Sequence, residues 1–189
     1  MKPPGRALAM LAGVLAAAAI TLAGCSSGVS ASQGRTAAAK ARGQVLPQVR
    51  ALYRQIYNAR AGWAFAIDAS YLRCIRGNST TQVAYHSNIS YVRGFQGLTP
   101  ASFRQRILAL VHSGGWKFAL NNADRPKGNW DSHYDLSKGP VKGDLAVAGR
   151  IALLRFSSPC FNAGSAADSL AAHGSDVPVP HPSSTSAGG

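Results

Sequence analysis

Residues 82–91, Gln82-Val83-Ala84-Tyr85-His86-Ser87-Asn88-Ile89-Ser90-Tyr91, alternate in character. In an extended chain Val83, Tyr85, Ile89 and Tyr91 fall on one side, and Gln82, His86, Asn88 and Ser90 on the other. This period of two predicts a half-buried strand, with Ser87 as the one polar residue on its apolar face. A strand of that kind belongs to a sheet covered on one side only. The neighbouring segments supply the cover.

Upstream, Leu46, Val49, Tyr53 and Ile56 keep three- and four-residue spacing, with Pro47 read as a first-turn proline. That spacing predicts an amphipathic helix from about Gln44 to Arg60. Trp63 and Ile67 continue the spacing, yet Trp63, Phe65 and Ile67 also alternate, so helix and strand both stand there. Downstream, Thr99-Pro100 is an N-cap followed by proline at the first helical position. Phe103, Ile107, Leu110 and Val111 share one face of that second helix, and Gly114-Gly115 ends it. Trp116, Phe118 and Leu120 alternate, as do Trp130, Tyr134 and Leu136 after a polar loop from Asn121 to Asn129. Lys138-Gly139-Pro140 turns the chain. Leu145, Val147, Ile151, Leu153 and Phe156 read as one or two further strands divided near Gly149. Short strands with turn-length links predict an α+β domain: an antiparallel sheet of about four or five strands, with both helices on one face.

Composition excludes several chemistries. The chain has 189 residues, with 20 Lys plus Arg against 7 acids and a formal charge of +13. All the acids are Asp, which removes Glu-pair glycosidases, HExxH metalloproteases and EF-hands. There is no phosphate-binding GxxxxGK[ST] loop, no CxxC or HxxxH zinc spacing and no GxSxG elbow. No cofactor is expected.

At the N-terminus Lys2 and Arg6 precede an apolar run from Ala7 to Thr21, and Leu22-Ala23-Gly24-Cys25 follows. Charge, apolar stretch and small residues stand in the order of a secretory signal peptide. The Leu-Ala-Gly-Cys quartet resembles the lipobox of bacterial lipoproteins, which implies a diacylglyceryl group on Cys25 and cleavage before it. The alternative is an uncleaved anchor, but the run is shorter than the ~20 residues a span prefers and contains Gly13. On the lipoprotein reading the mature chain begins at Cys25, carries a formal +11 and lies on the extracytoplasmic face of the cell membrane. Cys74 and Cys160 then form an even pair in an oxidising compartment. A disulfide is the simplest reading, and a free reactive thiol the alternative.

The domain also resembles small actinobacterial lipoproteins. The features in common are the lipobox, Cys74, a capped helix ending in Gly115-Trp116, and a closing Ser158-Pro159-Cys160-Phe161. The resemblance implies an envelope location and a disulfide, and no particular chemistry. The organisation expected is a signal peptide over 1–24, the lipidated Cys and a flexible tether over 25–43, one domain over 44–162, and a disordered Ala/Ser/Pro/Gly tail over 163–189.

Three candidate chemistries remain. Asp131, His133 and Asp135 project from one face of their strand and suit either a divalent metal or an oriented general base; the alternative is a solvated strand face. His86, on the polar side of the central strand, is placed to meet His133 or His112, with Lys117 as a nearby cation. Paired imidazoles would serve a nuclease-like hydrolase, against which stand isolated structural histidines. Asp68 and the serines complete no recognisable triad. Asn78-Ser79-Thr80 and Asn88-Ile89-Ser90 match glycosylation sequons, which in a bacterial setting are coincidences of turn and strand composition. The third candidate is charge. Arg35, Lys40, Arg42, Arg50, Arg54 and Arg60 fall in the stretch nearest the anchor, where they would contact anionic lipid or wall polymer, and Arg50, Arg54 and Arg60 lie beside or away from the apolar seam of the first helix. Simple solubility charge is the alternative. A secreted protein is not expected to bind nucleic acid. The expectation is a membrane-anchored, non-enzymatic binding domain, with a secreted hydrolase using His86, His133 and Asp135 as the alternative.

Overall fold

The computed structural model describes residues 28–63, 66–74, 80–121, 130–172 and 175–177. The signal segment and Cys25, Phe65, the Asn78 sequon, most of the loop after Asn121 and the chain from 178 lie outside them.

The first helix, α1, runs Ala31–Asn58. It is capped by Ser30, whose side chain accepts from the Gln33 N–H while Gln33 reaches back to the Ser30 N–H. The expected start at Gln44 is therefore corrected: residues 31–43, read as tether, are helix. Pro47 supplied the misleading signal. It sits in the helix interior, where it removes one backbone bond and leaves the Gly43 carbonyl without its i+4 donor. Gly43 is exposed, so the helix is open to solvent at that point. Burial of Val45, Leu46, Val49, Leu52 and Ile56 carries the helix through. Each such side chain contributes about 1.5–3 kcal/mol.

After α1 come β1 (Gly62–Trp63), β2 (Ala66–Arg73) and the long β3 (Gln82–Gly94). Then follow α2 (Pro100–Ser113), β4 (Lys117–Leu120), β5 (Ser132–Lys138), β6 (Val141–Ala148) and β7 (Ile151–Ser157). The described chain closes with β8 (Phe161–Asn162), a 3₁₀ turn at Gly164–Ala166, α3 (Ala167–Ala172) and β9 (Ser175–Val177). The sheet is antiparallel in the order β4-β5-β6-β7-β3-β2-β9, with β1 and β8 also paired to β3. The α+β class holds, but the sheet is wider than the four or five strands expected. Beyond the strands expected are β2, whose start the sequence left open between helix and strand, and β1, β8 and β9, which have two or three residues each, too few to show a period.

The main core lies between α1, α2 and the sheet, and a smaller cluster of Val83, Ala163 and Ala167 lies under the C-terminal turn. Tyr85, Ile89, Leu145, Val147, Leu154 and Phe156 from the sheet meet Val45, Val49, Leu52 and Ile56 of α1 and Phe103, Ile107 and Val111 of α2. Trp116 joins them, its ring 4.8 Å from Phe156. Ser87 is fully buried on this face, as its place in the alternation predicted. Tyr91 departs from that alternation. A bulge between Ile89 and Val92 shifts the register, puts Tyr91 at φ 50° and leaves it 59% exposed, while Val92 takes the buried position.

Cys74 and Cys160 are disulfide-bonded, Cα atoms 6.3 Å apart. The bond fastens the end of β2 to the start of β8, and Arg73 pairs with Asp168 just beyond it. Residues 163–172 and 175–177, read as part of a disordered tail, instead form secondary structure, with Ala163, Ala166 and Ala167 buried. Close backbone approach explains the order. A Cβ on Gly34 would overlap the Ala163 carbonyl, and one on Gly164 (φ 54°) the Val29 carbonyl. The start of α1 and the 3₁₀ turn hold each other.

Candidate functional site

The face of the sheet away from the helices is polar, and strand register arranges it in rows. One row crosses β2, β3, β7, β6 and β5 as Asp68, Asn88, Arg155, Asp144 and Asp135. The next carries Ser70, His86, Ser157, Lys142 and Ser137. A concavity of about 650 Å³ on this face is lined by His86, Asn88, His133, Asp135, Asp144 and Arg155, among others.

The residues of the Asp131-x-His133-x-Asp135 motif have separate partners. Asp131 accepts from the Gly149 N–H at 2.6 Å and so secures the β6–β7 turn. His133 Nε2 lies 3.3 Å from Asp144 Oδ2. Asp135 accepts from Asn121 Nδ2 at 3.2 Å. Among the described residues no group of three or more His, Cys, Asp or Glu is arranged to hold a metal ion. Asp68, a residue of the same face, accepts from Ser90 Oγ at 2.7 Å.

His86 and His133 share the concavity but not a contact. His86 is on β3 and His133 on β5, with β7 and β6 between them. Three interstrand steps separate their backbones by about 14 Å across the sheet. The register adds a further offset, since His133 lies opposite Ala146 and His86 is in the row of Lys142. Direct proton transfer between the two imidazoles is ruled out by that spacing. Burial pushes the His86 imidazole below its usual pKa, so it is neutral near pH 7. His112 is on α2, exposed, with its ring edge-on to Phe118 at 6.4 Å. It stands on the helix-covered side of the sheet and does not join them.

The second concavity, about 630 Å³, runs along α1. Arg35, Arg42, Arg50 and Arg54 line it, over Ala38, Leu46, Pro47, Tyr71 and Leu170. At 100° per residue these four arginines occupy an arc of about 120° of the helix, with Leu46 inside the arc. The Tyr71 hydroxyl donates to the Ala38 carbonyl at 2.9 Å and seals one wall. Arg54 Nε donates weakly to the Arg50 carbonyl at 3.4 Å. Among the described residues no carboxylate pairs with any of the four; the ion pairs are Arg73–Asp168, His133–Asp144 and Arg155–Asp144. Arg50 Nε is buried without a hydrogen-bond partner.

Two of the three arginines expected from the sequence, Arg50 and Arg54, therefore sit in this groove. Arg60 does not. It lies past the helix end at φ 50°, its N–H bonded to the Tyr57 carbonyl at 2.9 Å. Arg35 and Arg42 also line the groove; they were counted in the basic stretch near the anchor, but on a tether rather than on the helix. Their seven-residue spacing was the available signal, and it has meaning only on a helix. Set against protein-family models, curated proteins and solved structures, the chain matches none of them.

Proposed function

We propose that this protein is a lipoprotein anchored through Cys25 on the extracytoplasmic face of the cell membrane. Its domain is a non-enzymatic binding module that engages an anionic surface, lipid headgroups or wall polymer, through the arginine face of α1. The observation that carries this reading is the groove of four arginines with no carboxylate beside it among the described residues. Solubility charge alone would not require cations to converge on one concavity. The Leu22-Ala23-Gly24-Cys25 quartet supports the anchor, and the Cys74–Cys160 bond suits an oxidising compartment. Among the described residues no helix is long and apolar enough to cross a membrane.

The hydrolase reading has one observation in its favour, that His86, His133 and Asp135 line a single concavity. The engaged partners of His133 and Asp135, and the distance from His86, speak against concerted acid–base work.

The test is co-sedimentation of protein beginning at Ser26 with phosphatidylglycerol vesicles across a salt series. That protein keeps every described element and the whole core. Each headgroup-facing arginine adds about 1 kcal/mol. Binding is expected to fall steeply with salt and to weaken stepwise in Arg50→Gln and Arg54→Gln, with little change in Arg60→Gln. Absence of binding at low salt would overturn the reading.

A further inference from the structure

We propose that the α1 groove is a site for a single phosphate-bearing amphiphile. Arg42 and Arg50 hold the phosphate, and the hydrocarbon chain lies over Ala38, Leu46, Pro47 and Leu170. This deepens the basic-surface reading and rests on it for the identity of the contacting arginines.

Three features lead there. The first is the lining, which is neither wholly polar nor wholly apolar: a basic arc encloses a hydrocarbon floor whose centre, Leu46, is 5% exposed. A polyanion adsorbing by charge alone has no use for that floor, and a neutral lipid has none for the arc. The second is unmet hydrogen bonding. Arg50 Nε is a buried donor without an acceptor. The Tyr85 hydroxyl, buried beneath, lies beside Arg42 without a well-formed hydrogen bond to it. Buried donors without acceptors are costly, and a ligand rich in acceptor oxygens removes that cost. The third is geometry. Arg42 and Arg50 are eight residues apart, a rise of about 12 Å, and both line the one concavity with Leu46 between them on the helix arc. Guanidinium groups meet phosphate oxygens in paired, fork-like bonds, and a phosphate offers oxygens to two such forks at once. The volume falls in the range of small-molecule pockets, about 300–1,000 Å³.

The test is calorimetric titration of the same Ser26 protein with monomeric decyl phosphate. Inorganic phosphate, decyl glucoside and decyltrimethylammonium serve as comparators. Decyl phosphate is expected to saturate one site, at least tenfold tighter than any comparator. Arg42→Gln and Arg50→Gln should each weaken it about tenfold. Ala39→Asp, an exposed position on the groove wall, should do the same with the thermal midpoint unchanged. Equal binding of inorganic phosphate would overturn the apolar half of the site, and equal binding of decyl glucoside the arginine half. No saturable binding of decyl phosphate would overturn the proposal. Vesicle binding that persists in that last case leaves the basic-surface reading standing, so the two failures are distinguishable.

Discussion

Asp144 Oδ2 serves two nitrogen partners at once: His133 Nε2 at 3.3 Å and Arg155 Nε at 3.1 Å. The register places Asp144 directly opposite Asp135 on β5 and Arg155 on β7, so two acids and one guanidinium stand in adjacent strands of one row. Arg155 offsets the repulsion between the two carboxylates. This arrangement reads as a satisfied surface network rather than a poised catalytic pair. Asp144→Asn is expected to lower stability by no more than about 1 kcal/mol, because Arg155 is half exposed and its ion pair is screened. Urea denaturation measures this; a loss of several kcal/mol would show a larger role for the network.

Reduction of the Cys74–Cys160 bond releases a long loop, since the two residues are 86 apart in sequence. The entropy regained by the unfolded chain corresponds to about 4–5 kcal/mol. The Cys74→Ser/Cys160→Ser double variant should therefore show a sharply lower denaturation midpoint. The same midpoint in oxidised and reduced protein would contradict the argument.

His86 sets a pH dependence whose sign follows from its burial. Its folded pKa lies below the model-compound value of 6.5, so the unfolded chain binds more protons as pH falls. The contribution is fully present above pH 6.5 and is lost as pH falls through the folded pKa. Stability measured from pH 7.5 downward should decline in the wild type, and His86→Gln should flatten that decline.

Ser87 buries its hydroxyl on the core face without a partner. Replacing it removes an unsatisfied polar atom at almost no change in volume. Ser87→Ala is expected to raise stability by about 1 kcal/mol, read from the urea midpoint. A loss of stability would point to a hydrogen bond made in solution.

Gly164→Ala places a Cβ against the Val29 carbonyl at a backbone angle unfavourable to L side chains. A cost of about 2–3 kcal/mol is expected from overpacking together with strain. Hydrogen exchange should accelerate first in residues 30–38, where the helix start leans on the 3₁₀ turn. Unchanged exchange there would mean that α1 does not depend on this contact.

The sequence alone determined those elements whose signals are local. Thr99 and Pro100 cap α2, whose start at Pro100 agrees with that reading. Alternation marks β3, and Gly149 marks the β6–β7 turn at φ 54°. The α+β class followed from those signals. The tertiary structure decided the rest. Residues 31–43 have too few large apolar side chains to declare a buried face. Their helix is held where Gly34 lets the backbone approach Ala163 and where Ala38 and Ala41 are buried, contacts between segments far apart in sequence. Tyr91 leaves the apolar face because of a bulge that no residue pattern marks. The arginine groove also appears only in three dimensions. Arg35 and Arg42 align with Arg50 and Arg54 once the helix extends, and Tyr71 and Leu170 reach the same concavity through sheet pairing and the ordered C-terminal segment. Local propensity acts over a few residues, whereas a binding concavity is made by segments that only packing brings together.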